Sequence, residues 1–281
     1  MSPAGTGVQR TLLRSLLGPL LIGVLALLIA GGGVVANPQT TDAASRRKVV
    51  IVVGATGSTT SYYRSIANSL AHEARGYGAT VIQVYSPDAT WGRVRAAARG
   101  ANLLVYLGHG NGWPSPYPPF QVNTKDGLGL NASYTGSNSN TKYFGEKFVG
   151  TALHLARNSV VLLLHLCYAS GNPEWGGPTP TLSTAKARVD NYGAGFLRSG
   201  AKAVVAEGLD SGHYLLQGLF KSNRSLRQIF MNASSATGRY TVSFAAHRSP
   251  HWARALMDPQ RPGQYYRSII GNLNLRASAW R

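Results

Sequence analysis

Two residues with complementary chemistry follow two apolar segments of this sequence. His109 comes just after residues 102–107 (NLLVYL), and Cys167, the only cysteine, follows residues 159–166 (SVVLLLHL). A thiol nucleophile needs a base nearby, and an imidazole serves this purpose in many enzymes. Together the two residues predict a catalytic dyad, with His109 as the base or proton donor and Cys167 as the nucleophile.

Each of these residues also has a simpler interpretation when it is taken alone. A single cysteine at the end of an apolar strand is commonly a small core residue, and a histidine in a glycine-rich loop is commonly part of a turn. The joint placement at two strand ends favours catalysis. Gly108, Gly110 and Gly112 leave the backbone around His109 bare, so a substrate carbonyl can reach an amide N–H, as an oxyanion hole requires.

Alternating strand and helix patterns must position this pair. Such alternation predicts a parallel sheet with helices on both faces, and sites in these sheets form beyond the carboxyl ends of the strands. Residues 126–127 (DG) predict a hairpin turn. The predicted strands are residues 48–54, 80–85, 102–107, 159–166, 201–207 and 241–246. The predicted helices are residues 61–75, 91–98, 145–157 and 183–198, with one or two helices over 213–233. The expected fold class is α/β, a three-layer sandwich with a mostly parallel central sheet.

Composition excludes several classes of protein. The chain has 281 residues, of which 44% are hydrophobic and 14% are charged, against roughly 25% charged in an average soluble domain. A wholly disordered chain needs the opposite balance, and one cysteine cannot build a disulfide scaffold. Only one long apolar run occurs, which excludes a polytopic membrane protein. Residues 48–281 are expected to form a single domain.

The N-terminal region has the pattern of an export signal. Arg10 and Arg14 precede an apolar run over residues 16–36, and Val34-Val35-Ala36 offers a cleavage site before Asn37. Residues 1–36 are therefore predicted to be a signal peptide of a secreted or extracytoplasmic protein, with 37–47 as a linker. The run is also long enough to span a bilayer, so an uncleaved single-pass membrane anchor is the alternative.

The net charge is strongly positive. There are 28 Lys and Arg residues against 10 Asp and Glu, which gives +18. Such a field attracts an anionic surface or polymer, although a solvated basic surface without a dedicated partner has the same composition. No signature of specific nucleic-acid binding occurs.

Several segments resemble the caspase-like cysteine peptidases, and most closely the CHAT and metacaspase-type domains of that group. Residues 103–110 (LLVYLGHG) resemble their histidine strand, and 160–167 (VVLLLHLC) their cysteine strand. The cysteine turn at 167–171 (CYASG) and the helix-to-strand segment at 196–206 (FLRSGAKAVVA) are also similar, and residues 125–130 (KDGLGL) fall where this group places a hairpin.

This resemblance implies a caspase-like fold and a cysteine endopeptidase that acts on protein or peptide substrates without a cofactor or a metal ion. His109 and Cys167 would form the dyad, and the backbone amides of Gly110 and Cys167 would hold the oxyanion. Metacaspases place an acid two residues before the cysteine to bind a basic P1 side chain, whereas this chain has His165 there.

Glu207 and Asp210, at the end of the fifth predicted strand, are candidates for lining a specificity pocket together with His165. The simpler interpretation of the two acids is that they are exposed loop residues.

Two other functions remain open. One is a non-catalytic protein of the same fold that binds anionic polymers. The other is a Rossmann-type nucleotide-binding oxidoreductase, because residues 54–59 (GATGST) imitate the start of a dinucleotide fingerprint. The third glycine of that fingerprint is missing, since position 60 is Thr60.

Overall fold

An eight-stranded sheet forms the centre of the computed structural model, which describes residues 46–281. The predicted signal or anchor at residues 1–36, and all of the predicted linker except residues 46 and 47, lie outside the described residues. Within the described part, no helix combines the length and the hydropathy that crossing a membrane requires.

The strands and helices follow one another in an alternating order. The strands are β1 (Lys48–Val53), β2 (Thr80–Tyr85), β3 (Leu103–Leu107), β4 (Leu128–Asn131), β5 (Thr141–Phe144), β6 (Val160–Leu164), β7 (Ala203–Glu207), β8 (Val242–Ala245), β9 (Arg254–Met257) and β10 (Arg267–Gly271). The helices are α1 (Thr60–Gly76), α2 (Trp91–Ala98), α3 (Glu146–Ala152), α4 (Leu182–Arg198), α5 (His213–Lys221), α6 (Leu226–Phe230) and α7 (Ala277–Trp280).

The sheet is mixed but mostly parallel, with the strand order β2-β1-β3-β6-β7-β10-β9-β8. The first five strands are parallel to one another, whereas β10, β9 and β8 each pair antiparallel to their neighbours. The prediction of an α/β fold around a mostly parallel sheet is confirmed. The antiparallel end was not predicted beyond the strand at residues 241–246, which is β8.

Two hydrophobic cores, one on each face of the sheet, give the fold its three layers. Alternate residues of a strand point to opposite faces, so Val50 and Val52 of β1 join one core and Val49, Ile51 and Val53 the other. Residues of α2, α3 and α4 complete the first core, and residues of α1, α5, α6 and α7 complete the second. This double burial explains why the central strands are continuous apolar runs.

The register of the parallel strands brings their carboxyl ends to one edge of the sheet, called the front edge below. Leu107 at the end of β3 lies opposite Leu164 at the end of β6, and Leu164 lies opposite Glu207 at the end of β7. The loops after β3 and β6 are therefore neighbours at this edge.

Two local predictions need correction, and a third is made more definite. Asp126 and Gly127 do not form the hairpin turn: β4 begins after them at Leu128, and the β4–β5 hairpin turns through residues 132–140. The helix predicted over 145–157 ends at Ala152, because His154 takes a left-handed conformation with φ of 49°. Residues 213–233, predicted to form one or two helices, form two, α5 and α6.

Candidate active site

The loops that carry His109 and Cys167 are in direct backbone contact. A Cβ atom at Gly110 would lie 2.1 Å from the Cys167 carbonyl oxygen, and a Cβ at Gly112 would lie 2.3 Å from the Cβ of Tyr168. No larger residue fits at either position without moving the partner loop. The two glycines thus let the histidine loop and the cysteine loop close on each other at the front edge.

The environment of each dyad residue favours its neutral form. His109 is exposed overall, but desolvation by the surrounding loops lowers the pKa of its imidazole. Cys167 is partly buried, and desolvation raises the pKa of its thiol; the charge of Glu174 raises it further, while the backbone amides of Trp175 and Cys167 act in the opposite direction. The resting pair is therefore a thiol and a neutral imidazole rather than a preformed ion pair.

Two backbone amides at this point are available to a ligand. Within residues 46–281, the N–H groups of Gly110 and Cys167 donate no hydrogen bond to another residue. A Cβ at Gly110 would also lie 3.0 Å from the Cys167 nitrogen, so the two loops present these amides close together. Paired N–H donors of this kind stabilise a developing oxyanion.

The backbone on both sides of Cys167 is strained. His165 and Tyr168 have φ values of 58° and 71°, which are left-handed conformations that side chains with a Cβ rarely adopt. Each such residue costs about 1–3 kcal/mol, and this kind of strain clusters at functional sites. Here it turns the chain sharply at the sheet edge, where the partly buried Cys167 packs against the core on the α2, α3 and α4 face.

Tyr106 of β3 anchors the histidine loop through its hydroxyl group. Its buried hydroxyl donates to the carbonyl oxygens of Gly129 at 2.7 Å and His109 at 3.1 Å, and it accepts the Gly129 N–H at 2.9 Å. The β4 strand and the His109 backbone are thereby tied to the same phenol. The sequence offered no signal for this role, because Tyr106 lies within an apolar strand.

A buried arginine holds the cysteine loop. The Arg188 guanidinium of α4 donates to the carbonyl oxygens of Pro114 at 2.7 Å and Asn172 at 3.0 Å, and its Cζ lies 4.8 Å from the centre of the Tyr168 ring. Desolvation lowers the pKa of Arg188. Arg188 therefore joins the segments that follow His109 and Cys167.

Three further side chains have an electrostatic influence on the thiol or feel its charge, namely Tyr63, Tyr143 and Glu174, and sequence analysis identified none of them. The charge of Cys167 raises the pKa of Tyr63 and of Tyr143, in each case after the larger effect of desolvation. The ring of Tyr143 and the Cβ of His109 both border Gly129, at 3.1 and 3.2 Å from a Cβ built there. Glu174 follows the cysteine turn, and the Tyr117 hydroxyl donates to its carboxylate at 2.9 Å. The sequence did offer one indication of Glu174, because the chain has only 10 Asp and Glu residues and this one lies seven residues after Cys167.

The predicted pocket residues have different environments. His165 is partly buried and stacks on Tyr63, with ring centres 6.0 Å apart, and desolvation lowers its pKa. Glu207 is buried, and its carboxylate binds Arg267 at 2.8 Å, so it has a structural contact rather than a free carboxylate. Asp210 is partly exposed and accepts the Gly212 N–H at 3.0 Å.

The glycine loop at residues 54–59 is covered by the β4–β5 hairpin. Gly57 donates its N–H to the carbonyl oxygen of Asn138 at 2.7 Å, and Thr141 donates its hydroxyl to Ala55 at 2.7 Å. The Gly57 amide is thus already occupied and does not face an open phosphate site.

No family model matches this chain, and no curated protein matches it at a significant level.

Proposed function

We propose that this protein is a cysteine endopeptidase of the caspase-like type, with His109 and Cys167 as its dyad. The main support is the contact between the Gly110–Gly112 and Cys167–Tyr168 backbones, which brings a base and a thiol to neighbouring strand ends. The unused amides of Gly110 and Cys167 support acyl transfer in particular.

The reaction follows from the neutral resting pair. As the Cys167 sulfur attacks the scissile carbonyl, its proton passes to His109, and the amides of Gly110 and Cys167 hold the oxyanion. The intermediate then collapses: the C–N bond breaks, and the protonated His109 gives its proton to the leaving amine. Water, deprotonated by His109, attacks the resulting thioester and releases the new carboxyl group and the Cys167 thiol.

Labelling with a thiol-reactive peptidyl probe tests this function. We expect the probe to modify Cys167, and we expect the labelling rate to fall at least about tenfold in His109→Ala because the proton acceptor is lost. Mass spectrometry of the labelled peptide measures the rate. His72→Ala is the matched control, since His72 is an exposed histidine of α1 away from the front edge.

Proteolysis gives the decisive readout. Cys167→Ala is expected to lose hydrolysis of a fluorogenic peptide library while it keeps a cooperative unfolding transition. Hydrolysis by Cys167→Ala at the wild-type rate would disprove the assignment.

Glu174 is expected to influence both reactivity and selectivity. Its negative charge raises the pKa of the Cys167 thiol, so Glu174→Gln lowers that pKa and increases the thiolate fraction at neutral pH. Alkylation of Cys167 by neutral iodoacetamide should therefore become severalfold faster at pH 7. The same variant should lower kcat/KM for peptides with P1 Arg relative to peptides with P1 Ala, because the negative charge that acts on the thiol is gone.

Two measurements check this prediction, namely the pH dependence of alkylation and the ratio of kcat/KM for P1 Arg to that for P1 Ala peptides. Asp88→Asn, which removes a similar charge at an exposed ion pair with Arg93, is the control. Equal alkylation rates in Glu174→Gln and wild type would contradict the inferred proximity of the two groups.

A further inference from the structure

A positively charged region lies at the rear edge of the sheet, opposite the candidate active site. The rear face is defined here as the loops 77–79, 99–102, 153–159, 199–202, 222–225 and 272–276. These loops contain no acidic residue, and their cations are Arg99, Arg157, Lys202, Arg224 and Arg276. This face therefore has one sign of charge only.

Hydrogen bonds join these loops into one continuous surface. The Lys202 N–H donates to Ser159 at 2.8 Å, and the Asn272 N–H donates to Lys202 at 2.7 Å. The Ala277 N–H in turn donates to Arg224 at 3.0 Å. The loops that carry the cations are consequently adjacent in the folded protein, although they are far apart in the sequence.

Part of this positive charge has no structural use within the described residues. Lys48 and Arg276 donate to nearby backbone carbonyls, which offsets the partial negative charge of helix ends. The side chains of Arg99, Arg157 and Arg224 are exposed, and within the described chain they make no hydrogen bond or ion pair. These three guanidinium groups are free to bind an external anion.

Acidic side chains are few around this surface. Glu174, Glu207 and Asp210 lie at or near the front edge. Glu73 is the acid nearest to these loops along the chain; its carboxylate is paired with His213, and it also accepts the hydroxyl of the rear-face residue Tyr77 at 2.8 Å. A partner of negative charge therefore meets five cations and, at one border of the rear face, a carboxylate that is already paired.

A groove continues the rear face across the ends of β8, β9 and β10. It has a volume of about 450 Å³, and its lining includes Arg227, Arg254, Phe244 and the exposed ring of Trp252. The Lys202 ammonium lies 4.7 Å from the centre of the Trp252 ring. Tryptophan beside lysine and arginine is typical of protein surfaces at a membrane interface, where the ring lies at headgroup level.

The tryptophan ring among these cations favours a lipid surface over a soluble polymer as the partner. An indole ring gains from the interface between headgroups and acyl chains, which a soluble polyanion does not offer.

We propose that the rear face binds the anionic headgroup surface of a lipid bilayer, with the groove receiving one headgroup. The front edge, with His109 and Cys167, then faces away from the membrane and is open to substrate. This inference does not depend on whether the dyad is catalytic.

Vesicle flotation of the full chain tests the proposal. The wild type is expected to bind vesicles of phosphatidylcholine with phosphatidylglycerol at least about tenfold more tightly than pure phosphatidylcholine vesicles at low salt. The preference should disappear at roughly 0.5 M salt. The apolar run at residues 16–36 contributes equally to binding of both vesicle types. The ratio of the two affinities therefore measures the contribution of the charged surface.

Two triple variants locate the effect. Arg99→Glu, Arg157→Glu and Arg224→Glu together should abolish the preference, and this triple should unfold like the wild type since its side chains make no internal bond. The control triple Lys147→Glu, Arg239→Glu and Arg261→Glu changes the net charge equally at exposed sites outside the rear face and should keep the preference.

A second readout does not depend on these variants. The emission of Trp252 is the difference between the spectra of the wild type and Trp252→Phe. This emission should shift to shorter wavelength when the protein binds the anionic vesicles. An equal loss of preference in both triples, or no preference in the wild type, would overturn the proposal. Polyphosphate that displaces the protein from vesicles at a matched phosphate concentration would instead identify a soluble polyanion as the partner and overturn the bilayer assignment.

Discussion

Replacing Arg267 with methionine is expected to lower the free energy of unfolding by about 3–5 kcal/mol. The Arg267 side chain is completely buried, and it donates to Glu207 at 2.8 Å, to Asp258 at 2.5 Å and to the Phe230 carbonyl at 2.8 Å. Without the guanidinium, two carboxylates remain buried with no cation. Such an uncompensated charge is far more costly than the loss of a surface ion pair.

The loss should depend on pH in a defined direction. Burial raises the pKa of Glu207, and Arg267 opposes that rise; in Arg267→Met the pKa of Glu207 in the folded state moves higher still. A carboxyl group with a folded pKa above its unfolded pKa costs stability as the pH rises between the two values. Arg267→Met should therefore be less destabilised at about pH 4 than at pH 7.

Chemical denaturation at both pH values measures this effect. The control is the triple variant Arg267→Met, Glu207→Gln and Asp258→Asn, which removes all three charges and should recover part of the lost stability. A loss below about 1 kcal/mol in Arg267→Met would contradict the buried network. Since the Glu207 carbonyl also accepts the His165 N–H at 2.8 Å, slower labelling of Cys167 is expected as well.

Replacing Gly110 with alanine is expected to reduce kcat/KM for peptide hydrolysis at least about a hundredfold. The new Cβ would lie 2.1 Å from the Cys167 carbonyl oxygen, and only a shift of one loop removes that clash. Such a shift separates His109 from Cys167 and moves the two amides of the oxyanion hole. Displacements of about 1 Å are sufficient for a loss of this size.

Gly92→Ala is the matched control, because nothing lies within 4 Å of a Cβ at this position of α2. Gly92 lies in the first turn of α2, so alanine there should raise stability by less than the ~1 kcal/mol typical of a helix interior, and it should leave hydrolysis unchanged. Cys167 labelling provides a readout that does not require a substrate. Wild-type labelling and hydrolysis in Gly110→Ala would show that the loop contact does not position the dyad.

The strands of the parallel half of the sheet were predictable, because both of their faces are buried. Apart from Lys48, β1, β3 and β6 consist of apolar residues, so a continuous apolar run in the sequence marks each of these strands. β10 was missed because it begins with Arg267. A buried arginine is tolerated there only because Glu207, distant in sequence, and Asp258 supply the opposite charges, and no local pattern contains that information.

Some residues of the candidate site could likewise be predicted from the sequence, and others could not. His109 and Cys167 were identified because they immediately follow apolar strands, which is a local feature. Tyr106, Arg188 and Glu174 were not identified, because their roles depend on partners far away in the chain. Tyr106 binds Gly129 and Arg188 binds Pro114, and neither pairing can be read from sequence spacing.

The sequence by itself determined the strand–helix order, the apolar composition of the central strands and the types of the two residues at their ends, since each is set by local burial. The tertiary structure alone decided the strand order, which makes β3 and β6 neighbours and brings the loops after them into backbone contact. It also decided the direction of each pKa shift and the gathering of unpaired cations on the rear face. These properties arise from desolvation and from charges that meet only when the chain is folded.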